Sequence, residues 1–491
     1  MGKPTVVRPC GKLEQYSTAR HAMGLYRCVS LTARYEAARP LDKETWRRWI
    51  LAALGSVVKG EPFLRVGIAD EDSENACFVY VPEIDLEKQV VWHAAPSVGD
   101  EEFQAQLGEL LEREHDAVWP NTEARPPWKV TIVDSGGGDS ATPRVDLVFS
   151  WHHAIGDGLS GKFFHERLLA ALLDRNIPGG QPPLDSPVLR FEDVPVLPPP
   201  QEEAVKFTFS WWFMLKALWA ELAPSFLTRS REVPWTGRPA NIHVPLRTKV
   251  RLLCVDERTS SDVLAVCRMH GTTLTGLIHA LMLLSLARQL PSEQVFHSQT
   301  PMSLRPYVSD PGFDASKPAA VLVTFCSHVF PPEQIRPLQS LLSEGRNDMS
   351  LDKQVWDVAA GVKADLKRRA ESLPADDTAG LLRYTGDLRE RFKKMDGKPM
   401  STTFEVSNIG VTDGDDGSAE VKITRLAFCQ SGSQVGAAVK ASVAGCKGSG
   451  GVAITWAWQD GVVDDELVDG IKEDVGAWMK NLAQSGRLQP K

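Results

Sequence analysis

The stretch SWHHAIGDGLSG, residues 150–161, decides how this chain is read. Two histidines, His152 and His153, close the run RVDLVFSW (144–151). In that run Val145, Leu147, Phe149 and Trp151 alternate with Asp146, Val148 and Ser150. Such alternation predicts a strand whose side chains point to opposite faces in turn. If the strand holds through the pair, the two rings face opposite ways, and at most one looks into a given cleft. Gly156-Asp157-Gly158 predicts a tight turn in which the glycines supply positive φ. The next segment, SGKFFHERLLAALLD, carries Phe163, Phe164, Leu168, Leu169 and Leu172 at helical spacing. The pair therefore stands at a strand-to-helix crossing, where α/β sheets present polar groups to ligand clefts.

A neutral imidazole takes a proton from an alcohol near pH 7 and returns it later. That role needs one histidine of fixed orientation, with the other held on the far side. Asp157 in the turn suits pairing with an arginine better than service as the base, because such a pair lowers a carboxyl pKa. Adjacent histidines also raise the question of a metal. Zinc sites usually need three or four ligands, and no H-E-x-x-H or cysteine cluster is present, so no metal is expected. The plainest alternative is two ordinary loop histidines; the H-H-x-x-x-D-G string between strand and helix argues against it.

The rest of the chain fits an ordinary globular protein. Of its 491 residues, 43% are hydrophobic and 24% charged, too many residues for one core and too balanced for disorder. The net charge is −8, from 55 basic and 63 acidic residues, with no dense basic tract, so nucleic acid is not an expected partner. The eight cysteines, Cys10, Cys28, Cys77, Cys254, Cys267, Cys326, Cys429 and Cys446, form no C-x-x-C and suit buried thiols in a reducing compartment. The opening MGKPTVVRPCGKLEQYS carries neither a signal-peptide core nor a myristoylation pattern. A cytoplasmic monomer is the expectation.

Proline density marks residues 178–200, PGGQPPLDSPVLRFEDVPVLPPP, as an extended connector and a domain boundary. Before it, WRRWILAALGSVVKG predicts a helix capped at Gly60, EEFQAQLGELLEREHDAVW predicts a second, and WKVTIVD predicts a strand before RVDLVFSW. After it, VKFTFSWWFMLKALWAELAPSFL (205–227) is rich in Trp and Phe, but Lys206, Lys216, Glu221 and Pro224 argue against a spanning helix. It is expected to pack across the domain surface or cover an apolar tunnel, with a peripheral membrane helix as the alternative. Residues 260–271 and 273–290 predict helices, as do 356–373 and 464–484. Residues 319–330, 401–410, 420–432 and 450–461 predict strands, the last ending in an Asp460-Gly461 turn or hairpin. The pattern is two α/β halves: residues 1–177, a crossover with the aromatic-rich helix over 178–232, and residues 233–491.

His152-His153-Ala-Ile-Gly-Asp157-Gly158 resembles the HHxxxDG signature of the chloramphenicol-acetyltransferase-like superfamily, which includes plant BAHD acyltransferases and peptide-synthetase condensation domains. The chain is most similar to the alcohol O-acetyltransferases of yeasts and filamentous fungi. LEQYSTARHAMGLYRCV (13–29), SLRPY (303–307) and FEVSNIG (404–410) resemble that family's opening segment, arginine motif and S-N-x-G strand. The D-F-G-W-G motif of BAHD enzymes is absent.

The resemblance implies two chloramphenicol-acetyltransferase-like domains, each a mixed β-sheet flanked by helices, with an active-site tunnel between them. Acetyl-CoA would be the cosubstrate, with no permanently bound cofactor, and the acceptor a small alcohol or hydroxylated natural product. His153 maps onto the general base, beside His152. Asp157 maps onto the structural aspartate, supported by Gly158, with Arg305 as its expected partner. Ser407, Asn408 and Thr403 are the expected substrate-side residues, with Ser407, Thr403 or Thr402 as the oxyanion donor or, equally, as plain strand polar residues. Arg247, Lys249 and Arg251 could touch the CoA 3′-phosphate, although a solvated basic face explains them better. Two rivals remain: a condensation enzyme using a carrier-bound donor, though no G-x-D-S-L carrier signature is present, and a non-catalytic binding protein.

Overall fold

The computed structural model describes residues 4–38, 42–94, 99–134, 144–174, 186–222, 233–316, 318–344, 349–414, 420–447 and 450–488. Two sheets organise it. The first runs, in spatial order, Val421–Gln430, Val29–Ala37, Arg144–Trp151, Trp128–Asp134 and Val90–Ala94. The second runs Thr248–Val255, Gly451–Gln459, Ala437–Cys446, Thr402–Thr412, Phe296–Ser303 and Val323–Phe330. Each mixes parallel and antiparallel pairs and is covered by helices, the α/β architecture expected.

The expected division between 1–177 and 233–491 is crossed in both directions. Val421–Gln430 leaves the second half and pairs antiparallel along Val29–Ala37 at the edge of the first sheet. Its Val421, Ile423, Leu426 and Phe428 enter the first core, with Leu31, Trp128, Phe149, Trp151 and Phe164. In return Ala19 and Leu25, from the N-terminal segment, enter the second core among Leu277, Leu281, Trp456 and Ile471. Helix Asp100–Asp116 wedges Phe103, Leu107 and Leu111 between Val133 and Val148 of one sheet and Val250 and Ala453 of the other.

Local expectations are corrected in three places. Gly60 is the last residue of helix Lys43–Gly60 and has no positive φ; Glu61, extended, ends the helix. Of the turn or hairpin expected at Asp460-Gly461 the turn stands, with Gly461 at φ +81°, but the hairpin does not: the chain passes on into helix Asp465–Ser485. Residues 205–210 are not helical; the helix spans Trp211–Leu222. The part of the proline-rich connector within the described residues packs back on the first half: Val188–Arg190 pairs with Glu83–Asp85, and Arg8 donates to the Pro198 carbonyl at 3.0 Å.

Candidate active site

The strand Arg144–Trp151 stops one residue before the histidine pair. The two rings nevertheless separate as alternation requires. His152 is fully buried; its Nδ1 accepts from the Ala154 N–H at 3.0 Å, which places its proton on Nε2, 2.9 Å from Glu71 Oε1. His21 Nδ1 reaches the same oxygen at 2.7 Å. Burial pushes the Glu71 carboxyl up, but the hydrogen bonds from His152 and His21 win and bring it down to about 2. Burial lowers His21 to about 4.

His21, Glu71 and His152 thus form a group of three side chains of metal-ligating type that the sequence did not bring together. The His152 tautomer argues against a metal there. A ligating imidazole offers a bare nitrogen and donates from the other; here Nδ1 is the acceptor, so Nε2 carries the proton. The group fits a carboxylate clamp on His152.

His153 turns the other way and retains accessible surface, although its ring lies deep and its Nδ1 is enclosed without a hydrogen-bond partner among the described residues. Burial, and then the nearby Arg20 cation, lower its pKa to about 4, so the ring is neutral near pH 7. The Tyr26 ring lies 5.9 Å away, centroid to centroid. Tyr26 is 3% exposed, and its hydroxyl is enclosed without a partner among the described residues. Two cations face its ring: the Arg20 guanidinium carbon at 4.4 Å and Lys440 Nζ at 4.5 Å from the centroid. Burial lowers Lys440 to about 7 against the opposing pull of Glu405. Burial pushes the Tyr26 phenol well up, so it stays protonated.

Asp157 points away from His153. It caps helix Gly158–Leu173, accepting from the Ser160 N–H at 3.0 Å. Arg305, 148 residues on, donates to both carboxylate oxygens, at 3.0 and 3.2 Å. The same guanidinium ties down the carbonyls of Ala315, Pro318 and Ala320. Asp157 and Arg305 thus fix the loop behind the histidines.

Gly156 and Gly158 do not have the positive φ expected of them. They are glycines for want of space. A Cβ at Gly156 would come within 2.7 Å of Ser160 Cβ. One at Gly158 would come within 2.9 Å of both Ile409 Cγ2 and Phe428 Cζ, where the two halves of the chain touch. Gly158→Ala is expected to lower stability by about 1–3 kcal/mol through overpacking; an unchanged urea midpoint would show that the contact yields freely.

The substrate-side residues expected on Thr402–Thr412 divide. The Thr403 hydroxyl donates to the Trp235 carbonyl at 2.5 Å and accepts from the His297 N–H, so it is already engaged. Asn408 donates to Thr275 Oγ1 and accepts from the Gly410 N–H, holding the strand's irregular register rather than a ligand. Ser407 pairs across to Ser442, whose hydroxyl lies 3.4 Å from Gln430 Nε2. The Thr402 hydroxyl is buried and has no partner among the described residues. Glu405, two residues before Ser407, accepts from Gln299 at 2.6 Å and Gln430 at 2.9 Å, and its Cα partner is Lys440. Arg247, Lys249 and Arg251 face acids: Asp460 at 3.7 Å, Asp465 at 3.9 Å and Asp469 at 2.5 Å.

Sequence reasoning missed Tyr26, Arg20, Glu71, Glu405 and Lys440. Arg20, His21 and Tyr26 lie within the 13–29 string, which was informative as a string but silent about which side chains meet the histidines.

The architecture is that of the two-domain chloramphenicol-acetyltransferase-like class. The TRI3 trichothecene 15-O-acetyltransferase of Fusarium sporotrichioides superposes with a TM-score of 0.67 at 14% identity, over 95% of this chain and 93% of that one. The condensation domain of the Monacolin K polyketide synthase MokA shares the fold, with a TM-score of 0.59 at 13% identity over 99% of this chain and all of that one. Within that class a family model described as alcohol acetyltransferase matches residues 9–316. A probable alcohol acetyltransferase, FCK4 of Fusarium pseudograminearum, is 30% identical over 99% of this chain and 97% of its own length. Another, crmB of Aspergillus fumigatus, is 25% identical over 95% and 98%. The chain belongs to the alcohol acetyltransferase family, and it is an acyltransferase acting on an alcohol.

Proposed function

We propose that this enzyme moves an acetyl group from acetyl-CoA to the hydroxyl of a small alcohol or hydroxylated natural product, with His153 as general base in a ternary complex. The observation that carries this reading is the asymmetry of the pair. His152 is locked by Glu71, while His153 is neutral, partly accessible and not committed to a carboxylate. His153 Nε2 takes the acceptor's proton as its oxygen bonds to the thioester carbonyl carbon. The tetrahedral intermediate then collapses, the carbon–sulfur bond breaks, and the imidazolium returns the proton to the departing thiolate. An imidazolium of low pKa is a strong donor to a thiolate whose ordinary pKa is about 8.5. No acyl-enzyme forms.

The oxyanion needs a donor placed in advance. Tyr26 fits that part: its hydroxyl is protonated, buried and without a partner among the described residues, and its ring adjoins His153. Arg20 and Lys440 beside the ring would favour negative charge there. Thr403 is already engaged, and Ser407 lies farther along the same strand face, beside Glu405 and Ser442.

Thiol release from acetyl-CoA across a panel of alcohols, with product mass measured, tests the reaction. Release that depends on the alcohol and an acetyl ester in the product are expected. Activity only with a carrier-bound donor would favour the condensation reading, and binding without turnover a non-catalytic one. All eight cysteines are unpaired thiols, which supports action in a reducing compartment such as the cytoplasm.

A further inference from the structure

Helix Trp211–Leu222 leaves five large apolar side chains exposed. Trp211, Trp212, Leu215, Leu218 and Trp219 are 88, 78, 56, 56 and 60% exposed. Their spacing, i, i+1, i+4, i+7 and i+8, puts them on one face of the helix. Phe213, Met214 and Ala217 are half-buried on the other side, with Phe213 stacked on Phe209 at 5.9 Å. The base of the helix is secured: Ser210 donates to Asp376 through its N–H and its hydroxyl. Phe207 and Phe209 pack with Leu304, Ala320 and Leu322, beside the Arg305 anchor. An ordered element thus displays three tryptophans outward, with Tyr384, 65% exposed and 6.4 Å from Phe209, at their side.

We infer that this face is a docking surface for an anionic lipid membrane. Three features favour lipid over a protein partner. Tryptophan, with an apolar body and a polar edge, prefers the boundary between headgroups and acyl chains. Lys216 is exposed on the same helix, and Lys206 and Arg383 are exposed in the segments at its base, where the acid Asp376 is engaged by Ser210, so a protein of net charge −8 shows cations beside this apolar face. The face is a single convex helix, suited to lying in a headgroup layer, whereas helix-binding protein partners supply the groove themselves. Among the described residues no single helix is long and apolar enough to cross a membrane, so this helix would lie on the surface. The alcohol it brings the enzyme near would then be one that partitions into lipid.

Flotation of the full chain with phosphatidylcholine vesicles, with and without 30 mol% (about one third) phosphatidylserine, tests this. The wild type is expected to float with the anionic vesicles. The double variant Trp212→Ala/Trp219→Ala is expected to partition at least about tenfold less, and Lys216→Glu to lose the preference for phosphatidylserine. Acyl transfer to a water-soluble alcohol should be the same in all three, because none of these residues lies at the histidine site. Wild-type protein that stays at the bottom of the gradient, or a double variant that floats equally well, overturns the inference. A dimer in sedimentation that the double substitution dissolves, with no flotation, overturns it in favour of a second copy of the chain.

Discussion

Replacing His153 with alanine is expected to lower kcat by about 10²–10⁴-fold, the usual worth of a positioned general base. The loss should appear in kcat rather than in the KM for acetyl-CoA, since the ring binds neither the nucleotide nor the pantetheine arm in this reading. Circular dichroism should stay near wild type, since Nδ1 has no hydrogen-bond partner to lose among the described residues, and the urea midpoint should fall only by the packing the ring supplies. The pH profile supplies a second signature. Burial and Arg20 hold the imidazole near 4, so it is protonated only below that value. The acid limb of kcat/KM for the free enzyme should therefore lie near pH 4 rather than near the ordinary 6.5. A variant that turns over at the wild-type rate would remove His153 from the chemistry. An acid limb at 6.5 would mean the ring is better solvated in the working enzyme than its surroundings imply.

Tyr26→Phe is the second large effect. An oxyanion donor is worth about 10²–10³-fold in kcat. This substitution is unusually informative because the hydroxyl it removes has no partner among the described residues. A buried hydroxyl without a hydrogen bond is a cost of about 1–3 kcal/mol, so its removal should leave stability unchanged or raise it. A purely structural tyrosine would show the reverse: little loss of rate and some loss of stability. Lower kcat, unchanged KM and an equal or higher urea midpoint together are the expected result. If Tyr26→Phe works normally while His153→Ala is inactive, the oxyanion assignment fails and the base assignment stands. If both work normally, the reaction scheme itself fails.

The sequence made the catalytic loop legible because its geometry is local. Alternation up to Trp151, helical spacing after Gly158 and an aspartate between them state a strand, a cap and a helix within the 28 residues from Val145 to Leu172. The partnership of Asp157 with Arg305 came from the family string, since no local rule links residues so far apart. Other features were hidden for physical reasons. Ala437–Cys446 is buried on both faces and built of small residues, so it shows no alternation to read. Gly158 looked like a turn glycine, and only the approach of Ile409 and Phe428 reveals a steric reason for it. Glu71 sits in an unremarkable acidic run, EDSEN, and acquires meaning only when two histidines from other segments close on its one oxygen. The tryptophans of 211–219 suggested a covering role; their outward direction is a property of tertiary packing that composition does not encode.

The exchange made by Val421–Gln430 bears on how the molecule can move. A strand zipped along Val29–Ala37 is a ladder of backbone bonds, and a hinge between the halves would have to tear it. Opening of the two halves as a clamshell would therefore cost that whole ladder of backbone bonds. Expressing the first half alone would also leave Val29–Ala37 as an unpaired sheet edge, the kind of margin that promotes aggregation.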